Sequence, residues 1–123
     1  MKVKNKMVIE VKDIKKVNEY IVKYRLTLVA VISKYANKSY VMKLLKTLEE
    51  ESLPTIYTVL VVDDTSNDKR SAYNIMLNLY LDGVCIFSQE GVFNNLENDL
   101  TVLKRGIREV LRSRSIQIRF VKR

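Results

Sequence analysis

Histidine is absent from this chain, and cysteine occurs once, as Cys85. Together these absences remove the usual zinc and iron–sulfur ligand sets and histidine-based acid–base or triad chemistry. One thiol cannot build an internal disulfide framework, and its rarity fits a reducing, intracellular setting, so a cytoplasmic protein is expected. Three glycines leave no loop able to cradle a triphosphate. Proline occurs once, at Pro54. Long apolar runs are missing too: the longest, Leu26 to Ile32 with Thr27 inside it, falls far short of the roughly 18 residues of a membrane span. The basic start, Met1-Lys2-Val3-Lys4, is followed by no apolar h-region, so no signal peptide is expected.

What remains is ample for a core. The chain has 123 residues, 47% apolar and 29% charged, which suits one globular domain rather than a disordered segment. Its net charge of +8 is uneven. Residues 1–61 hold 12 basic and 6 acidic side chains, 62–99 hold 2 and 7, and 100–123 hold 8 and 1. An acidic middle between two basic ends predicts a polarised surface able to steer an anionic partner.

Residues 7–11 have the β-branched content of a strand, and Asp13 stands at a helix N-cap position before Ile14, Val17, Ile21 and Tyr24 at helical spacing. Leu26 to Ile32 reads as a strand covered on both faces. After a polar loop from Ser33 to Ser39, Val41, Leu44, Leu45 and Leu48 mark one face of a second helix. That helix ends in Glu49-Glu50-Glu51, whose charges oppose the macrodipole, so this end is expected either to fray or to be answered by nearby lysines. Ile56 to Val62 is a second buried-type strand, ending at Asp63-Asp64. The spacing then predicts a third helix, capped by Asp68 and carrying Ala72, Ile75, Met76 and Leu79. A strand from Val84 to Phe87 follows, and Gln89-Glu90-Gly91 predicts a hairpin turn into Val92-Phe93. The last helix is expected from about Glu97 to Arg114, buried through Leu100, Leu103, Ile107, Val110 and Leu111. The expectation is one domain over residues 1–115, with 116–123 as a basic tail or an added edge strand.

The resulting order, β-α-β-α-β-α-β-β-α, is an α/β arrangement with a central mixed sheet and helices on both faces. It resembles the thioredoxin fold. The resemblance rests on Thr27 to Ile32 followed by loop and helix, on Val61-Val62-Asp63-Asp64, and on Asp82 to Phe87 with the Gly91 turn. In thioredoxins the loop after the first of these strands carries Cys-x-x-Cys, whose thiolate is activated at a helix N-terminus and resolved by its neighbour. Here that place holds Tyr35, Ala36, Asn37, Lys38 and Ser39. Either Ala36 and Ser39 or, one residue earlier, Tyr35 and Lys38 stand at the cysteine positions. The family's cis-proline, expected near Asp82 to Val84, is missing as well. The resemblance therefore implies a degenerate, redox-inactive member with no cofactor, in which Tyr35 to Ser39 is a contact surface for a protein partner. Cys85, inside an apolar strand, is expected to be buried and inert.

Three other chemistries are incomplete. Asp63 and Asp64 imitate the strand end of a response-regulator receiver, yet Lys104-Arg105-Gly106-Ile107 stands where such a protein needs its phospho-acceptor aspartate. Asp63 and Asp64 are expected to cap the strand-to-helix turn and face solvent, and a magnesium site of Asp63, Asp64 and Asp68 is the minority reading. Glu10-x-Lys12 imitates a metal nuclease but has no acid upstream. By contrast, Arg105, Arg108 and Arg112 fall at i, i+3 and i+7, and with Lys104 they form a ridge that Arg119 extends. A helix C-terminus favours such charges by itself. The ridge equally suits phosphate contacts, which makes non-specific nucleic-acid binding through the last helix and tail the alternative function.

Overall fold

In the computed structural model, which describes residues 8–63 and 74–122, the apolar run from Leu26 forms the centre of the sheet. The elements are β1 (Ile9–Val11), a 3₁₀ turn (Ile14–Lys16), α1 (Val17–Lys23), β2 (Leu26–Ser33), α2 (Lys38–Glu51) and β3 (Ser52–Leu53). There follow β4 (Tyr57–Asp63), β5 (Ile75–Leu81), β6 (Val84–Glu90), α3 (Leu96–Arg112) and β7 (Arg119–Phe120). Five strands lie in the order β1-β4-β2-β5-β6. β4 runs parallel to both β1 and β2, whereas β5 is antiparallel to β2 and to β6. This is a mixed sheet with its parallel pairs on one side and a hairpin on the other.

Strand period two divides the core between the two faces. Leu26, Leu28, Ala30 and Ile32 of β2 join Leu60, Leu77 and Leu79 beneath Val41, Leu45 and Leu48 of α2 and Leu103, Ile107 and Leu111 of α3. Val29 of β2 points the other way, with Val59 and Val61, against Val17 and Ile21 of α1. Helices thus cover both faces. Burial of each fully enclosed leucine contributes about 1.5–3 kcal/mol.

The starts of α2 and α3 are capped by side chains: Asn37 Oδ1 accepts from Tyr40 N at 3.1 Å, and Asn95 Oδ1 accepts from Asn98 N at 3.0 Å. Asp13 does the same for the 3₁₀ turn, accepting from Lys15 N at 2.9 Å. Each cap is worth about 1 kcal/mol. The acidic end of α2 is answered in two ways. Glu49, buried, accepts from both Thr58 N and Thr58 Oγ1 at 2.8 Å, which ties α2 to β4. Glu51 Oε1 meets Lys104 Nζ of α3 at 2.5 Å.

Several sequence expectations are corrected. Ile75, Met76 and Leu79 belong to β5 rather than to a helix, and Ile75, Leu77 and Leu79 alternate inward. The helical reading of Asp68 and Ala72, and the acid Asp64, lie outside the described residues. The hairpin turn is at Asp82-Gly83, not at Gln89 to Gly91; both residues have positive φ (50° and 85°), the backbone twist that two-residue hairpins require. β6 consequently runs on to Glu90. Lys38 and Ser39 lie in the first turn of α2 rather than in the preceding loop.

Cys85 is exposed, not buried. A register shift lets Tyr80 pair with Cys85 directly after Leu79 pairs with Phe87, which puts Cys85 and Phe87 on opposite faces of the sheet and leaves the thiol exposed. Phe87 keeps the inner side and lies against Gly106 of α3, where a Cβ would come within 2.5 Å of the ring. The short β7 pairs antiparallel with β3, outside the main sheet, and Val121 N donates to Glu51 O at 2.8 Å.

Candidate functional site

Three segments meet where β2 ends. The loop after β2 is held from both sides: Ser33 Oγ accepts from Tyr35 N at 3.1 Å, Ser33 O accepts from Ala36 N at 3.1 Å, and Asn37 then caps α2. Ser33 N donates to Asn74 O at 2.9 Å, and Ser33 Oγ donates to Asn74 Oδ1 at 3.1 Å. Gly91 N donates to Ile75 O at 2.8 Å, bringing in the segment after β6. Tyr35, Ala36, Asn37, Asn74, Ile75, Gly91, Val92 and Asn94 surround a cleft of about 430 Å³. Tyr35, in this lining, is 43% exposed, and Phe93, in the chain between the lining residues Val92 and Asn94, is 67% exposed.

Of the five loop residues expected to form one surface, the fold brings three to this cleft and sends two elsewhere. Lys38 Nζ reaches Glu10 Oε2 of β1 at 2.5 Å, and neither Lys38 nor Ser39 lines the cleft. The sequence assigns Ile75 and Gly91 to Phe93 structural places only, and no site role to Asn74, Ile75 or the segment 91–94. The Asp82-Gly83 turn was the available signal, because a hairpin centred there pairs Met76 with Glu90 and so sets Asn74 and Gly91 near one another.

The segment 91–94 is fixed from below. Asp99 of α3, buried, accepts from Phe93 N through Oδ1 at 2.8 Å and from the Tyr40 hydroxyl through Oδ2. Burial, then the Asp99 hydrogen bond and charge, push the Tyr40 phenol well above its ordinary range. Burial and the neighbouring Cys85 also raise Tyr80. Cys85 is six residues along β6 from Gly91, about 20 Å at strand rise, so the thiol has no place in the cleft. Its sulfur lies 3.7 Å from both Phe87 O and Ser88 Oγ.

The basic ridge divides in a similar way. Lys104 is engaged by Glu51 and sits 5.4 Å from the Phe120 ring centroid. Arg105 is exposed on α3. Arg108, 5.2 Å from the Phe120 centroid, joins Arg112 and Arg119 around a second cleft, of about 460 Å³. Among the described residues no group of three acids or thiols could hold a metal ion, and no helix is long and apolar enough to cross a membrane.

A sheet of three parallel strands and an antiparallel hairpin, with α1 on one face and α2 and α3 on the other, has clear counterparts among solved structures. A mutant thioredoxin from Halobacterium salinarum superposes with a TM-score of 0.58 at 12% identity, covering 86% of this chain and 96% of its own. Mitochondrial thioredoxin 3 from Saccharomyces cerevisiae gives 0.54 at 15% identity, over 83% and 94%. Thioredoxin f2 from Chlamydomonas reinhardtii gives 0.55 at 14%, over 80% and 96%. The chain has a thioredoxin-like fold. No protein-family model matches its sequence, and no curated protein matches it either. Within this thioredoxin-like fold the loop from Tyr35 to Ser39 has no cysteine. Residues 82–84, where the sequence resemblance calls for a cis-proline, hold none and form the turn into β6. The one proline, Pro54, follows a cis peptide bond but stands between β3 and β4, at the other end of the sheet.

Proposed function

We propose that this protein is a redox-inert, thioredoxin-like binding module that holds a protein partner at the cleft of Tyr35 to Asn37, Asn74, Ile75 and Gly91 to Asn94. The observation that carries the reading is the replacement of the thiol pair by Tyr35 to Ser39 while the loop stays hydrogen-bonded to β5 through Ser33 and Asn74. Dithiol exchange requires two sulfurs within bonding reach, and the only one lies far along β6. The exposed Tyr35 at a well-fixed concave backbone, with Phe93 exposed on the adjoining segment, suits recognition of a polypeptide, since aromatic anchors dominate protein interfaces.

The test has two arms. Insulin reduction with excess dithiothreitol should run at the protein-free rate. A photo-crosslinking residue at position 35 or 93 should yield a discrete adduct in the native host, whereas one at Val102, exposed on α3, should not. Catalysis above the protein-free rate, or the same adducts from all three positions, would remove this reading.

A further inference from the structure

The second cleft has features that solubility alone does not require. Arg108 and Arg112 project from α3, whereas Arg119 arrives from β7. A preference for cations at a helix C-terminus accounts for the first two but not for the third, which belongs to a separate element. Among the described residues, none of the three guanidinium groups has a carboxylate partner, although Lys104 one turn before Arg108 is paired with Glu51. The one acid in this part of α3, Glu109, is exposed and makes no ion pair with them.

The wall opposite α3 is built, not draped. Ser115, with φ of 62°, turns the chain at the end of the helix, and Ile116 N donates back to Leu111 O at 2.9 Å. Ile118 is buried in the main core, and β7 is clasped by β3. Ile116 and Ile118 therefore give the cleft an apolar side, while Phe120 lies under Arg108.

We propose that this cleft binds a small organic phosphomonoester, with the phosphoryl group among Arg108, Arg112 and Arg119 and an apolar or aromatic body against Ile116 and Ile118. A phosphomonoester near neutral pH carries close to two negative charges and three acceptor oxygens. Planar guanidinium forks match that geometry, whereas one fork already satisfies a carboxylate. The cleft, of about 460 Å³, falls in the size range of small-molecule sites. The site is separate from the cleft at Tyr35 and does not depend on the reading given to it.

The experiment titrates the intact protein with phenyl phosphate and with inorganic phosphate, following backbone amide shifts and heat. Phenyl phosphate should saturate one site, about tenfold more tightly than inorganic phosphate, and shift the amides of residues 116–119. Arg112→Gln and Arg119→Gln should each weaken it about tenfold with the thermal midpoint unchanged, while Arg114→Gln, exposed and outside the cleft, should leave it intact. Absence of saturation by about 10 mM, an affinity in which no millimolar complex forms, would overturn the proposal. Equal losses in all three variants would also overturn it, as a diffuse charge effect. A single-stranded thymidine oligonucleotide whose binding needs Arg112 and Arg119, and which phenyl phosphate cannot displace, would put a nucleic-acid surface there instead. The amide shifts of the unaltered protein keep the question decidable if a variant fails to fold.

Discussion

The hydroxyl of Tyr40, in the first turn of α2, donates to the buried carboxylate of Asp99, 59 residues further along the chain. Asp99 uses its other oxygen to hold Phe93 N. One side chain thus joins the helix that follows the Tyr35 loop to the segment that completes the same cleft.

Loss of that carboxylate leaves two polar groups without a partner. Asp99→Ala should cost about 2–4 kcal/mol, and Tyr40→Phe, which spares the Phe93 contact, about 1–2 kcal/mol. Urea denaturation measures both. Amide exchange at Phe93 should quicken in Asp99→Ala and stay slow in Tyr40→Phe; equal protection in the two variants would contradict the clamp.

The same pair sets a pH dependence. The folded-state phenol of Tyr40 is raised from 10.0, so its contribution is fully present below pH 10 and is lost as pH rises through the folded value. The stability difference between the unaltered protein and Tyr40→Phe should therefore hold steady below pH 10 and narrow as pH rises above it. Tyr80, raised in the same direction, is common to both proteins and drops out of the difference. A gap that widens with pH would refute the assignment.

Cys85 should behave as an accessible thiol. A thiol reagent should modify the native protein in one step without denaturant, and Cys85→Ser should change stability by no more than about 0.5 kcal/mol, as for other surface positions. Slow, unfolding-limited modification would mean that β6 is covered in solution.

Glu51 and Lys104 are only 12% and 16% exposed as side chains, and the lysine also covers Phe120. A double-mutant cycle with Glu51→Ala and Lys104→Ala should give a coupling of about 1–2 kcal/mol, above the 0–1 kcal/mol or so of exposed pairs. Coupling near zero would show that the contact with Phe120, not the charge, holds β7.

The core substitutions should separate by enclosure. Leu45→Ala and Ile107→Ala, at fully buried sites, should cost about 2–5 kcal/mol. Val61→Ala, also enclosed, should cost more than Val31→Ala, because Val31 is only partly buried beside the α1 cluster. Equal costs for Val61 and Val31 would contradict the lesser enclosure of Val31 within the α1 cluster.

Strands enclosed on both sides were the legible part of the sequence. Leu26 to Ile32 and Ile56 to Val62 have no polar face to confuse, and the helix of Val41, Leu44, Leu45 and Leu48 carries one clear stripe. Residues 75–79 were misread because Ile75, Met76 and Leu79 satisfy helical spacing, while Ile75, Leu77 and Leu79 satisfy strand spacing equally well. The Asp82-Gly83 pair, whose left-handed geometry fits a two-residue hairpin, was the arbiter. The candidate cleft was legible only on its Tyr35 side. Its other walls depend on the β5–β6 register and on Asp99, an acid that in sequence looks like a simple companion to a helix N-terminus. Its burial reflects partners at Phe93 and Tyr40, which no local pattern displays.

Gly106 has a further consequence. The ring of Phe87 occupies the space that a side chain at this position would need, so α3 rests on β6 with only a hydrogen atom between backbone and ring. A methyl group there must displace either the ring or the helix. Because Arg105 and Arg108 flank that point of contact, a shift of the helix would carry both guanidinium groups with it. Position 106 therefore acts as a fulcrum: its size sets how far the cationic side of the molecule stands off from the sheet.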